Sequence, residues 1–355
     1  MGSSRLDANF TKQQPKGFPW VAAIVLAVLA VLLFRWASEG EGFDFRKFFA
    51  VLKNIDPPFA VLAIFFIILS YLGRAVRWEV MMRPLGAPVS FGKLLSATTI
   101  GFTAVVLLGR AGEFVRPWLI ARESKSSFSA QLAIWFFERI YDLLVVVVFF
   151  GFGLVFLARR ASQFGVGPEL RWVLASGGGV ALAAGLACLC FIFALRFLSA
   201  TQKQALLGWV DRLPAAVSGR LRPLAQNFLD GASACCDGRL QWLVMGYTFA
   251  EWLIIAACQW SVFQAFGATS GITASETVSI VGLVSMGSIL QLPGIGGGMQ
   301  VAAIAVLTQL FRVGLEEATG IALVLWATSF LLVVPVGIFL ALRQGLEFRQ
   351  LRRLQ

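Results

Sequence analysis

Apolar residues fall along this chain in long blocks, and the blocks are of two kinds. Six approach or exceed the length that crosses a bilayer core, which takes about 20 helical residues. They are Trp20–Trp36, Pro58–Leu72, Phe128–Leu157, Trp172–Leu195, Leu240–Phe266 and Ala318–Leu342. The second is short and is expected to extend past Arg74. Two other blocks are interrupted by glycine. Leu94–Gly109 meets Arg110-Ala111-Gly112-Glu113 before resuming as Phe114–Arg122, and Glu276–Pro293 meets Gly294-Ile295-Gly296-Gly297-Gly298 before resuming as Met299–Phe311. Hydrocarbon tolerates non-helical backbone only where protein or a watery cavity surrounds it. Both interrupted blocks are therefore expected to be hairpins that enter and leave the membrane on one side.

Charge supports that topology. It places 1–19, 73–93, 110–127, 196–239 and 343–355 on the cytoplasmic side with 21 Lys and Arg, against 7 in 37–57, 158–171, 267–276 and 312–317. A cytoplasmic excess is what the positive-inside rule requires; full crossing by both hairpins would carry 196–239 outside. The two halves then have the same order of elements in opposite directions, as in many secondary transporters. An amphipathic stretch sits between the first two spans of each half: Phe45, Phe48, Phe49 and Leu52 in one, Leu206, Leu207, Val210 and Leu213 in the other. The predicted fold is all-α: a polytopic helical membrane protein built as an inverted-topology repeat, with six spanning helices and two re-entrant helical hairpins. Its expected parts are a cytoplasmic tail (1–19), a first repeat (20–157, hairpin 94–122), an outer loop (158–171), a second repeat (172–342, hairpin 276–311) and a cytoplasmic tail (343–355). The first apolar block ends in Arg35-Trp36 rather than small residues, so it is expected to stay as a helix and not be cleaved as a signal.

Composition narrows the chemistry. Of 355 residues 58% are hydrophobic and 14% charged, where soluble domains run near a quarter charged. The net charge of +11 is spread over short loops, which suits anionic lipid heads and not nucleic acid. Histidine is absent, removing imidazole as base or metal ligand. The five cysteines form no CxxC pair, and no metal or cofactor is expected. Gly86–Leu94 reads GAPVSFGKL, whose spacing and final Leu94 miss the phosphate-binding loop pattern. An enzyme is therefore not expected.

Candidate site residues cluster at the breaks. Gly109 and Gly112 allow a turn and close approach of a ligand. Arg110 and Arg116 can hold a phosphate, Arg110 bidentately, and a helix restarting near Glu113 would point free N–H groups at the break. Glu113 can orient an arginine, meet a cationic headgroup or take a proton. Glu138, Arg139 and Asp142 lie inside the third span, where charge is costly and seeks partners. Pairing Arg139 with Asp142 leaves Glu138 for Arg110 or Arg116, either as a helix-pinning network or in contact with substrate. Arg74 and Arg77 share a face and are expected to snorkel to lipid phosphates. Glu251 stands alone in the fifth span as a coupling group or a cavity residue. Gly294, Gly296, Gly297 and Gly298 offer backbone amides, flanked by Gln291 and Gln300.

Three motifs, Leu108-Gly109-Arg110-Ala111-Gly112-Glu113-Phe114-Val115-Arg116, Glu138-Arg139-Ile140-Tyr141-Asp142-Leu143-Leu144 and Pro293-Gly294-Ile295-Gly296-Gly297-Gly298-Met299-Gln300, occur in that order. Together they resemble the flippase-like transmembrane domain of the lysylphosphatidylglycerol synthases and its stand-alone relatives, over about residues 20–342. Where that family ends its third motif in glutamate, this chain has Gln300. The charge count places both termini in the cytoplasm; the resemblance implies a bacterial inner-membrane protein whose partners are membrane lipids and a separate lipid-modifying enzyme. It implies a flippase for an anionic or aminoacylated phospholipid. Alternatives are a polyprenyl-phosphate or glycolipid translocase, a non-transporting lipid-binding partner of a synthase, and an intramembrane lipid enzyme. A chain ending at Gln355 is expected to lack the soluble transferase domain and not to make the lipid itself.

Overall fold

The computed structural model describes residues 43–86, 88–124, 126–161, 168–194, 200–212, 214–234, 238–287, 291–292 and 296–345. The expected first span, both extreme tails and Gly294 lie outside them. The chain divides into two compact units, Met1–Arg46 and Lys47–Gln355. Only residues 43–46 of the first are described, and every helix from Pro57 onward belongs to the second.

The described residues are all-helical apart from one pair of two-residue strands. In order, the elements are α1 (Phe45–Lys53), α2 (Pro57–Met82), a 3-10 turn (Arg83–Leu85), α3 (Phe91–Leu108), a second 3-10 turn (Gly109–Phe114), α4 (Val115–Ser124), α5 (Phe128–Ala161), α6 (Pro168–Ala194), α7 (Ala200–Asp211), α8 (Ala215–Ala234), α9 (Gly238–Gln264), α10 (Ala274–Gly287), β1 (Gln291–Leu292), β2 (Gly296–Gly297), α11 (Gly298–Phe311), α12 (Leu315–Trp326), a π turn (Ala327–Leu331) and α13 (Val333–Arg343). Five helical runs among the described residues are long and apolar enough to cross a membrane: 57–85, 91–124, 128–159, 238–264 and 315–343. This is an integral membrane protein. Helix α6 covers residues 172–194 of the expected fourth span, although its most apolar stretch, Ala175–Cys190, is shorter; Leu195 lies outside the described residues.

The run 91–124 does not continue straight. Gly109 takes φ +64, open to glycine without the Cβ clash, and α4 folds back along α3. Gly101 sits against Arg116, and Gly112 sits on the Ala104 carbonyl with no room for a methyl group. Replacing Gly112 with alanine is expected to pry the hairpin open and cost about 1–3 kcal/mol, read as a lower unfolding temperature of the detergent-purified protein. The second interrupted block also folds back. Gly287 lies against Gly298 and Ala302, and the turn is closed by β1 and β2 with Gln291 opposite Gly297 and Leu292 opposite Gly296. Gly297, at φ +124, donates its N–H to Gln300 Oε1 at 2.7 Å.

Helices α2 and α9 pack antiparallel through the centre. Asp56 donates its N–H to the Ala265 carbonyl at 2.9 Å, Cys258 Sγ meets the Ala63 carbonyl at 3.4 Å, and Arg77 reaches Thr248 at 3.1 Å. Each hairpin leans on a helix from the other half of the chain. Helix α3 packs on α13, where Gly337 receives Thr103 and Gln344 Nε2 donates to Ser96 Oγ at 2.8 Å. Helix α10 packs on α5, where Gly282 receives the Phe149 backbone and Gly153 faces the Ser279 carbonyl. The tips meet as well: β1 lies beside the second 3-10 turn. Residues 196–239, expected as a mostly polar segment with one amphipathic stretch, contain two helices, α7 and α8, and α8 packs on α5.

Candidate functional site

The centre of the molecule is a network of arginines and carboxylates, and its keystone is Arg77. Arg77 is fully buried. Its Nη1 donates to Asp142 Oδ1 at 2.7 Å and to Thr248 Oγ1 at 3.1 Å, and its Nη2 donates to Glu138 Oε1 at 2.6 Å. Glu251 Oε2 lies 3.3 Å from Nη1. The placement follows from helix geometry. Residues three or four apart share a face, so α2 presents Arg74 and Arg77, α5 presents Glu138 and Asp142, and α9 presents Thr248, Glu251 and Trp252. Three faces converge on one point.

The other arginines surround this centre. Arg74 Nε pairs with Glu251 Oε1 at 2.9 Å, and its guanidinium lies 4.6 Å from the Phe102 ring centroid. Arg116, 4% exposed, pairs with Glu138 Oε2 and stacks 4.0 Å over the Trp78 ring, an arrangement that suits the weakly hydrated guanidinium. Arg139 Nη2 meets Asp142 Oδ2 at 2.9 Å and Glu138 Oε2 at 3.3 Å. Arg110 meets Glu113 at 2.6 Å. Trp252 Nε1 donates to Asp142 Oδ1 at 3.3 Å. Even so, Arg77 Nε, Arg116 Nη1 and Arg139 Nε are buried without a hydrogen-bond acceptor, a costly state for a charged group.

Beside the network is a cavity of about 290 Å³. Its charged lining is Arg74, Arg110, Glu113, Arg116, Arg139 and Asp142, and its aromatic lining includes Trp135, Trp252 and Trp326. The second hairpin contributes Ser285, Met286 and Met299.

Several sequence expectations change against this geometry. Arg74 and Arg77 do not snorkel to lipid. The apolar run thins out near Leu72, but α2 continues to Met82 because carboxylates on α5 and α9 neutralise both arginines inside the protein. Glu251 does not stand alone, since it bridges Arg74 and Arg77. A helix does restart near Glu113, at Val115, but it follows directly on the second 3-10 turn, and the Val115 N–H is bonded to the Gly112 carbonyl instead of pointing free at the break. Gly296, Gly297, Gly298 and Gln300 do not line the cavity; the Gly297 amide is occupied by Gln300, which caps α11. Gly109 and Gly112 shape the first tip while Arg110, Glu113 and Arg116 line the cavity. Arg139 does pair with Asp142, and Glu138 meets Arg116. A sequence signal for the interior role of Arg77 does exist: Ser70, Arg74 and Arg77 form a polar stripe at steps of four and three along a mostly apolar helix. Among the described residues no group of three His, Cys, Asp or Glu is placed to hold a metal ion.

Comparison with known proteins agrees with the helical membrane architecture. A 158-residue segment, 44% of this chain, is 28% identical to the glycosyltransferase AglD of Haloferax volcanii, of which it covers 24%. A 130-residue segment, 36% of the chain, is 31% identical to a UPF0104 membrane protein of Pyrococcus horikoshii, covering 37% of it. The chain thus matches about a quarter and little more than a third of the lengths of these relatives. Residues 20–337 match the family described as the lysylphosphatidylglycerol synthase TM region, and the chain belongs to that family.

Proposed function

We propose that this protein is a flippase, moving a polar-headed lipid, anionic or aminoacylated, between leaflets of the bacterial inner membrane. The observation that carries the reading is Arg116. It is a buried guanidinium at the wall of a cavity beside two touching hairpin tips, and Arg116 Nη1 still lacks an acceptor. Phosphate oxygens are the acceptors that arginine clusters take up most readily. The headgroup would enter the cavity while acyl chains trail along the exposed apolar faces of α2 and α9. The antiparallel pairing of α2 with α9, and the matching pairings of α3 with α13 and α10 with α5, support an inverted repeat, the architecture behind alternating access. Cytoplasmic termini and a separate lipid-modifying enzyme as partner belong to the same proposal, as does the absence of catalysis: the acidic groups of the network are engaged by arginines, and the chain has no histidine.

The similarity to AglD, named a glycosyltransferase, favours a second reading in which the cargo is a polyprenyl-phosphate or glycolipid. Translocation in proteoliposomes tests the proposal. Fluorescent lipid in the inner leaflet should become accessible to dithionite through the purified protein. Arg110→Ala combined with Glu113→Ala, which removes the ion pair at the cavity rim, should slow that movement at least tenfold. Unaltered movement in this double variant would remove the first hairpin tip from the mechanism.

A further inference from the structure

The charges around the cavity do not balance, and the imbalance defines the cargo. Arg74, Arg77, Arg110, Arg116 and Arg139 face Glu113, Glu138, Asp142 and Glu251. Five positive charges meet four negative ones, an excess of one positive charge among the described residues. Arg110 is half exposed and pairs with Glu113 at the rim, so the excess rests on the four inner arginines against Glu138, Asp142 and Glu251, where salt screens it less than a surface charge, and it favours a ligand that cancels it.

The distribution of hydrogen bonds points the same way. Each of the four carboxylates is engaged: Glu113 by Arg110, Glu138 by Arg77, Arg116 and Arg139, Asp142 by Arg77, Arg139 and Trp252, and Glu251 by Arg74 and Arg77. Glu251, held by ion pairs, keeps both oxygens without a hydrogen bond but does not line the cavity; among the described cavity-lining residues the charged groups buried without a hydrogen bond are Arg116 Nη1 and Arg139 Nε. An ammonium entering this cavity would meet no uncommitted carboxylate and four arginine side chains in the wall. A phosphate oxygen at the same wall would meet those arginines, Arg116 and Arg139 among them.

Resting on the flippase reading, we propose that the site selects a lipid whose headgroup is a phosphodiester with one net negative charge and no cationic group. A zwitterionic headgroup leaves the excess in place and brings an ammonium next to arginine. An aminoacylated headgroup with net positive charge raises the excess. A phosphomonoester, at about −1.5 to −2 near pH 7, overshoots it. The aromatic lining, Trp135, Trp252 and Trp326, leaves room for an uncharged glycerol or sugar beyond the phosphate.

The test uses the full chain in proteoliposomes with four acyl-labelled lipids: phosphatidylglycerol, phosphatidylethanolamine, lysyl-phosphatidylglycerol and phosphatidic acid. Phosphatidylglycerol should move at least tenfold faster than each of the others. Equal or faster movement of the zwitterionic or the lysylated lipid would overturn the assignment. Changing the charge of the network should change the ranking. Arg139→Gln, which brings the sum to zero, should narrow the gap between phosphatidylglycerol and phosphatidylethanolamine at least fivefold, and Glu113→Gln, which raises it to two, should favour phosphatidic acid. Rankings that ignore both substitutions would overturn it as well. If no lipid moves, the flippase reading fails, and the headgroup assignment is judged separately from binding. Dihexanoyl phosphatidylglycerol should then change tryptophan fluorescence at tenfold lower concentration than the ethanolamine analogue, and equal concentrations would overturn it. Water-soluble glycerophosphoglycerol acting as strongly as the dihexanoyl lipid would assign the site to a free phosphodiester and overturn the lipid assignment.

Discussion

Arg77→Leu is expected to yield protein that does not fold. The substitution leaves Glu138, with no exposure, and Asp142 and Glu251, nearly buried, facing one another without their shared counter-ion. Breaking a buried ion pair by deleting one partner costs about 3–5 kcal/mol, and Arg77 serves three carboxylates. Domains have only about 5–15 kcal/mol of net stability, so one residue is decisive. The measurement is the yield and the unfolding temperature of detergent-purified protein. Leucine at 77 together with Glu138→Gln and Asp142→Asn should recover part of the lost stability, because neutral amides can satisfy one another. An unfolding temperature unchanged in the single variant would show that the carboxylates find compensation elsewhere and that Arg77 is no keystone.

Arg116→Gln should have a contrasting effect: folding kept, lipid movement lost. Glu138 retains Arg77 and Arg139 when Arg116 is removed, so the core keeps its charge compensation. Glutamine still packs near Trp78 but gives up the cation that stacks on it, a loss of about 0.5–2 kcal/mol. The cavity, however, loses its most deeply buried cation. Hydrogen bonds to charged groups contribute about 1.5–3 kcal/mol, and each 1.4 kcal/mol is tenfold in affinity. Translocation should therefore fall about 10- to 100-fold while the unfolding temperature drops only slightly. Arg116→Lys should recover little, since a point ammonium cannot both stack on Trp78 and bond Glu138 in the planar manner of a guanidinium. Full activity in Arg116→Gln would place the headgroup elsewhere.

The parts of this architecture that can be read from the chain share one property: the signal is local. Both hairpins announce themselves because glycine and charge interrupt apolar runs, and the runs 94–122 and 276–311 lie within helical hairpins spanning 91–124 and 274–311. The acidic groups of α5 are equally plain, since Glu138 and Asp142 are one turn apart in a span that cannot leave them unpaired. What is not legible depends on distant residues. Arg77 looks like a membrane-edge arginine until α5 and α9 bring acceptors 61 to 171 positions away in sequence. Gln300 looks like a missing carboxylate, whereas its side chain closes a turn at Gly297. Helices α7 and α8 are hard to read because their polar surfaces weaken the periodic signal, and α8 contains Pro223, a residue that ordinarily argues against a helix.

The seams between helices have a mechanical consequence. Helices interlock where glycine receives a neighbour: α3 with α13, where Gly337 takes the Thr103 side chain, and α10 with α5, where Gly282 takes the Phe149 backbone. Such tooth-in-socket joints resist sliding far more than ordinary side-chain contacts, because packed interiors shift between discrete arrangements instead of deforming continuously. The pieces that stay rigid are thus mosaics, each made of one hairpin and a helix from the opposite end of the polypeptide. Between these mosaics lies the α2–α9 joint, whose arginine network would serve as the axle in the proposed transport motion.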